Sequence, residues 1–181
     1  MRFFASGIRR KDAVIMNEFL KNAYDRLYHK TPLGFYNCGR LCDGLCCRGD
    51  CQGMWLYPHE DELFANKEGF EVCETEGNHG YPMVICSGEC NREERPLACR
   101  IFPLFPLVYE SDGKLCFEVV YDPRAGMCPL ARKNKPLAPS FIKEVRKTAR
   151  YLAQDPEMLE YMKAVSAELL EIMELRKLLE G

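Results

Sequence analysis

Apolar residues recur at helical spacing near the start of the chain, from about residue 12 to residue 30. The positions that share this face are Met16, Phe19, Leu20, Ala23 and Leu27. The spacing predicts an amphipathic helix, with Asp12 as its candidate N-cap and Pro32 just beyond its end.

A β-type pattern occupies residues 104–121, where two arms rich in β-branched and aromatic residues read LFPLVYE and KLCFEVVY. The residues Ser111, Asp112 and Gly113 join them, and an Asp-Gly pair favours the tight turn of a hairpin. Pro106 lacks a backbone N–H, which indicates that the first arm lies at a sheet edge. We therefore predict a β-hairpin here.

Beyond Pro139 the pattern becomes helical again, with Ser140 as a candidate N-cap. Asp155 and Pro156 interrupt the pattern and are suited to the cap and first position of a second helix. This last helix is predicted to continue nearly to Gly181.

The last helix carries an apolar stripe at steps of three and four residues, formed by Met158, Met162, Val165, Leu169 and Ile172. Such a stripe must be covered by another apolar surface. Two partners stay open: the N-terminal helix of the same chain, or a second copy of the chain in a homodimer.

Two shorter segments complete the pattern. The segment PHEDELFANK, residues 58–67, begins with a proline and precedes Gly69, which predicts a helix of one or two turns. The segment from Gly34 to Gly53 is so rich in glycine and cysteine that it predicts a compact loop ordered by a ligand rather than regular structure.

Length, composition and charge narrow the class of protein. The 181 residues suit a single domain, 1–181, with a cysteine-rich centre at about 34–130 and a helical part at about 140–181. A formal net charge of -2 argues against nucleic acid or an anionic membrane as partner. The charged start MRFFASGIRRKDAVIMNEFLK is unlike a signal peptide, so a cytoplasmic location is expected.

Eleven cysteines need an explanation, because a reducing cytosol does not sustain structural disulfides. One bunch comprises Cys38, Cys42, Cys46, Cys47 and Cys51, and a second comprises Cys86, Cys90 and Cys99. Thiolate ligation of zinc contributes roughly 10 to 16 kcal/mol to the folding of small zinc peptides, enough to order such a loop. The first bunch holds more thiols than one tetrahedral site accepts from a single loop, so the extra thiols serve a second metal or none.

Further cysteines, arginines and histidines lie near these two bunches or elsewhere in the chain. Cys128 is a candidate late ligand, whereas Cys73 and Cys116 are expected to be small core residues. Five arginines lie beside the cysteines and suit the negative charge of a metal tetrathiolate or of a [4Fe-4S] cluster: Arg40, Arg48, Arg92, Arg95 and Arg100. The histidines, His29, His59 and His79, are expected to be surface residues. No motif for acid/base or nucleophilic catalysis is present.

The segments CGRLCDGLCC and CSGECNREERPLACRIFPL together resemble the CxxCxxCC family of zinc- or iron-chelating domains. The more specific part is RPxxCRxFP, formed here by Arg95, Pro96, Cys99, Arg100, Phe102 and Pro103. Three residues rather than two separate the first cysteines. The resemblance covers about residues 34–106 and implies these candidate ligands: Cys38, Cys42, Cys46, Cys47, Cys86, Cys90 and Cys99.

The expected fold is a small α+β domain with a metal centre and a hairpin, flanked by N-terminal and long C-terminal helices. Three functions stay open. The first is a protein that binds zinc or iron, with an iron-sulfur cluster included, through clustered cysteines. The second is an iron or iron-sulfur enzyme acting on a protein or small molecule. The third is a metal-stapled interaction module that binds a protein partner through its last helix.

Overall fold

The structure, a computed structural model, describes residues 16–34, 36–47, 53–88 and 90–180. The helices found in these ranges are α1 (Glu18–Leu27), α2 (Leu97–Ile101), α3 (Pro129–Arg132), α4 (Pro139–Leu152) and α5 (Pro156–Glu180). The strands are β1 (Met54–Trp55), β2 (Phe70–Cys73), β3 (Met83–Cys86), β4 (Leu104–Ser111) and β5 (Lys114–Tyr121). The fold class is α+β, as predicted.

Helix α1 begins later than the pattern predicts. The Asn17 side chain accepts hydrogen bonds from the backbone N–H groups of Phe19 (2.8 Å) and Leu20 (3.4 Å), so the cap is Asn17. Asp12, the predicted cap, lies outside the described residues. The predicted apolar face is confirmed, because Leu20, Ala23 and Leu27 are fully buried.

The predicted hairpin is confirmed, with one correction: Ser111, predicted to belong to the connection, is the last residue of β4. Strands β4 and β5 pair antiparallel from Leu104 opposite Tyr121 to Ser111 opposite Lys114. Asp112 and Gly113 both have positive φ, 52° and 70°, as the tight turn between paired strands requires. The sheet has two strands, so Pro106 stands at an edge, as expected.

The C-terminal helices follow the predicted order with one corrected cap. The Asp155 carboxylate accepts from the N–H groups of Glu157 and Met158, which confirms the start of α5. Helix α4 is capped at Ala138 rather than at Ser140, because Pro139 occupies its first position. Proline suits that position since its fixed φ is helical and its missing N–H is not needed.

The apolar stripe of α5 packs on strand β4, and the predicted packing on the N-terminal helix is wrong. Helix α1 packs instead on α4. Met158, Met162, Val165 and Leu169 are fully buried, and the Ser166 hydroxyl accepts from the Val108 N–H at 2.7 Å. A substitution such as Leu169→Lys therefore places a charge in the core and cannot report on a dimer seam.

A second sheet, which the sequence pattern did not predict, leads to the cysteine-rich region. It has the order β1-β3-β2, with β3 antiparallel to both neighbours. The predicted helix at 58–67 is reduced to a single 3-10 turn, Asp61–Leu63, because His59 has a positive φ of 63° that ends any helix begun at Pro58.

No described helix is both long enough and apolar enough to cross a membrane.

Candidate metal centre

The loop 36–47 carries four cysteines and is held by its own backbone. It contains two 3-10 turns, Cys38–Leu41 and Leu45–Cys47, as expected for a segment without helix or strand. The Asn37 side chain accepts from the Gly39 N–H at 3.1 Å, and the Gly44 N–H donates to the Gly39 carbonyl at 2.9 Å. Neither turn contains a fully buried residue, and the core contact recorded for them is that of the partly buried Cys38.

The second cysteine segment approaches this loop closely at Gly88. Cys86 ends strand β3, and Gly88 follows with a φ of +86°. A Cβ atom at Gly88 would lie 2.7 Å from the carbonyl oxygen of Cys47. Contact between the two cysteine segments therefore depends on the absence of a side chain at this position.

Cys99 lies on the short helix α2, which a buried carboxylate holds in place. Glu60 is fully buried, and its carboxylate accepts from the backbone N–H groups of Tyr57 (2.9 Å) and Leu97 (2.6 Å) and from the Tyr24 hydroxyl. Burial raises the pKa of this carboxyl, while the hydrogen bonds oppose the rise. Glu60 thereby joins α1 to the first residue of α2.

Arg100 supports the same helix and is not a surface residue. It is buried and donates to the carbonyl oxygens of Arg95 (2.9 Å) and Glu93 (2.7 Å), while its guanidinium lies 4.2 Å from the ring centroid of Tyr24. Arg100 thus anchors the backbone, and the expectation that it balances thiolate charge stays a prediction.

Five thiols border one cavity of about 290 Å³. Four of them, from three separate segments, are named the first thiol group: Cys47, Cys86, Cys90 and Cys99. The fifth is Cys46. Burial, followed by the charges of the other three members, raises the pKa of Cys99. Burial also raises the pKa of Cys90. These thiols are thus near enough to act on one another inside the protein.

Cys46 and Cys47 form a pair of neighbouring thiols with their sulfur atoms 3.9 Å apart. The hydrogen bond with Cys46 lowers the pKa of Cys47 to about 6, and the positive charge of Arg95 acts in the same direction. The same hydrogen bond raises the pKa of Cys46. Cys47 is therefore suited to being a thiolate, the form that ligates metal.

Arg95 gives an independent test of whether the first thiol group fits a metal. Its guanidinium borders the same cavity, is hydrogen-bonded to Cys90, and has its pKa raised by the charges of Cys47 and Cys90 against the effect of burial. Its buried Nε has no hydrogen-bond partner. Buried donors are usually satisfied, so this cation suits a site that gains negative charge when four thiolates bind one divalent ion.

A second set of thiols borders a neighbouring cavity of about 390 Å³, and we name it the second thiol group: Cys38, Cys42, Cys46 and Cys128. Cys128 is 8% exposed and precedes α3. Burial, then the charges of Cys128 and Cys42, raises the pKa of Cys38. Cys46 borders both cavities.

All eight predicted ligands therefore border one or both of these cavities, as free thiols. Within the described ranges, no three histidine, cysteine or acidic side chains lie close enough together to hold a metal ion. Cys51, considered as a ligand from the sequence, lies outside these ranges.

The remaining cysteines and histidines lie elsewhere. Cys73 and Cys116 are half-buried on strands β2 and β5, so the prediction that they are core residues is wrong. His59 pairs with Glu157, and His79 pairs with Glu168, both at 3.0 Å. Neither histidine borders the two cavities.

Three aromatic and polar residues that also border the first cavity were not predicted from the sequence. They are Trp55, with the Arg124 guanidinium 4.1 Å from its ring centroid, and Asp122, which accepts two side-chain hydrogen bonds from Arg124 at 3.0 and 2.8 Å. These residues come from β1 and from the segment after β5, and no local motif connects them. The arrangement leaves an apolar cavity with a few polar groups beside the thiols.

Comparison of the chain with models of known protein families, with curated proteins and with solved structures found no match. The resemblance to the CxxCxxCC family therefore stays a prediction that rests on the motifs quoted above.

The contact at Gly88 leads to a prediction with a matched control. Gly80 has the same φ of +86° as Gly88, yet nothing lies within 4 Å of a Cβ placed there. We expect Gly80→Ala to cost about 1 kcal/mol of unfolding free energy through backbone strain alone. Gly88→Ala should cost at least about 1 kcal/mol more, because its Cβ displaces the Cys47 carbonyl.

Urea denaturation of both variants, with elemental analysis of each, measures this difference. Bound metal should fall in Gly88→Ala and stay unchanged in Gly80→Ala. Equal losses of stability, with metal content unchanged in both, would show that the approach of the two cysteine segments is unimportant.

Proposed function

We propose that this protein binds zinc or iron through cysteine thiolates, with the first thiol group as its principal site. The observation that carries the proposal is the convergence of the first thiol group, four thiols from three separate segments, on one cavity that the Arg95 guanidinium also borders. Four thiolates are a common ligand set for zinc and for iron-sulfur clusters.

The residues around the proposed site have different roles in metal binding. Cys47 is the thiol most ready to lose its proton, and Arg95 offsets the negative charge that collects as the others do so. Glu60 and Arg100 hold the helix that carries Cys99. A bound metal would join the loop 36–47 to α2 and to the end of β3, so metal binding and folding should be coupled.

The test is elemental analysis of untagged protein purified without oxygen, combined with its ultraviolet-visible spectrum. We expect at least one equivalent of zinc, or iron with acid-labile sulfide, per chain. The control variant Cys73→Ser/Cys116→Ser, with both changes outside the two cavities, should keep the same content. A stably folded protein without stoichiometric transition metal would overturn the proposal.

A second candidate function is an iron or iron-sulfur enzyme, and the 290 Å³ cavity favours it. A catalytic metal keeps an open coordination position, whereas a structural metal is fully ligated. The cavity beside the first thiol group offers space for a small substrate, with Arg95, Asp122 and Arg124 as polar contacts.

Cyanide added to the anaerobic iron-loaded protein separates the two functions. A change in the visible spectrum that is reduced by Ala98→Phe, a substitution in the cavity wall, would support an open position. A spectrum that cyanide leaves unchanged would favour the fully ligated site.

A further inference from the structure

We infer that the second thiol group is a separate metal site, with Cys38, Cys42, Cys46 and Cys128 as its ligands. It extends the proposed function from one site to two. The sequence shows a surplus of thiols, and the fold divides them between two neighbouring cavities.

The lining of the second cavity has the chemistry of a thiolate site. Among the residues that the structure describes, the lining consists of these four thiols, apolar side chains and two lysines, Lys133 and Lys135, without a carboxylate. Zinc bound by four thiolates carries a net charge of about -2. The ammonium groups of these two lysines, and the absence of acidic groups among the described lining residues, both suit that charge.

The loop 36–47 gives a second, independent reason for a ligand here. It supplies three of the four thiols, and its two 3-10 turns bury no side chain. Its large apolar residues are poorly buried, with Leu41 68% and Leu45 45% exposed. Apolar burial contributes little to the stability of this segment, so another interaction must hold it in one conformation. Metal ligation is such an interaction.

The fourth thiol comes from a part of the chain that is already fixed. The Cys128 N–H donates to the Ala125 carbonyl at 3.0 Å, and its own carbonyl accepts from the Arg132 N–H at 2.9 Å. A buried thiol on a fixed backbone opposite a weakly anchored loop is suited to clamping that loop when both bind one ion. Cys38, Cys42 and Cys128 do not line the first cavity.

The experiment counts metal in the full chain after paired substitutions. Reduced, metal-free protein is loaded with zinc chloride, freed of excess zinc and analysed for zinc per chain. We expect two equivalents in the wild type and in Cys73→Ser/Cys116→Ser. One equivalent should remain in Cys42→Ser/Cys128→Ser and one in Cys86→Ser/Cys90→Ser.

The outcomes separate this inference from the proposed function. One equivalent in the wild type, kept by Cys42→Ser/Cys128→Ser and lost by Cys86→Ser/Cys90→Ser, overturns the second site and leaves the first. No stoichiometric zinc or iron in any folded form overturns both.

A measurement on the wild type alone keeps the inference testable if a variant does not fold. Zinc-loaded protein is alkylated with iodoacetamide, and each cysteine is read by mass spectrometry. We expect protection of both thiol groups and labelling of Cys73 and Cys116. Rapid labelling of Cys38, Cys42 and Cys128, while the first group stays protected, overturns the second site.

Discussion

Replacement of Cys99 by serine is expected to remove the metal of the first thiol group and to lower the unfolding free energy by about 3 kcal/mol. That figure is about a quarter of the roughly 10 to 16 kcal/mol that four-ligand zinc binding contributes in small peptides. Cys99 is the sensitive position because it comes from α2, a different segment from the other three thiols. Its loss therefore removes a link between segments.

Two measurements are needed for Cys99→Ser, the metal content and the urea denaturation curve with and without chelator. The control is Cys116→Ser on strand β5, which should match the wild type in both. Without metal, Cys99→Ser and the wild type should differ by less than about 1 kcal/mol, because a thiol and a hydroxyl differ little in size. Unchanged metal content together with an unchanged Tm would exclude Cys99 from the site.

Replacement of Glu60 by alanine should cost about 4 kcal/mol, the second large effect expected. The change leaves the N–H groups of Tyr57 and Leu97 and the Tyr24 hydroxyl without their acceptor. Each unsatisfied buried donor costs roughly 1 to 3 kcal/mol. Glu62→Ala, at an exposed position in the same turn, should change stability by less than about 0.5 kcal/mol.

The variant Glu60→Gln adds a test by pH. Burial raises the pKa of the Glu60 carboxyl above its ordinary value of 4.5, so the folded protein binds this proton more tightly than the unfolded chain does. The contribution of Glu60 is fully present below pH 4.5 and is lost as the pH rises through the raised pKa.

The difference in unfolding free energy, wild type minus Glu60→Gln, should therefore decrease from pH 4 towards neutral pH. Denaturation curves of both proteins in the same buffers measure this difference. An increase over the same range would mean that hydrogen bonds and Arg100 lower the pKa of Glu60 below that of the unfolded chain.

The sequence was sufficient to predict the elements that depend on a few adjacent residues. Asp112 and Gly113 predict the hairpin turn, and Asp155 with Pro156 predicts the start of α5, because turn and cap geometry depend on a few adjacent residues. The sheet β1-β3-β2 was missed since its strands have only two to four residues, too few for alternation to be visible.

The sequence was sufficient to predict which cysteines belong to the candidate site. It was not sufficient to predict how they group in space. The bunching of cysteines identified seven of the eight thiols, and Cys128 was added as a candidate from a remote loop. Their division into two groups depends on the turns of the loop 36–47 and on the approach at Gly88. Nothing in the sequence indicated that Glu60 is buried, because it is one of three adjacent acidic residues in PHEDELF. Its burial arises from contacts with α1 and α2, which lie far away in sequence.

The turn Leu45–Cys47 borders both cavities, with Cys47 facing the first and Cys46 reaching both. Any displacement of this turn therefore moves ligands of both thiol groups at once. Filling one of the two proposed sites would then change the affinity of the other, and thermodynamic linkage requires the same factor in the reverse direction. Metal uptake should therefore depart from that of two independent sites, and the fraction of singly loaded chains measures the departure.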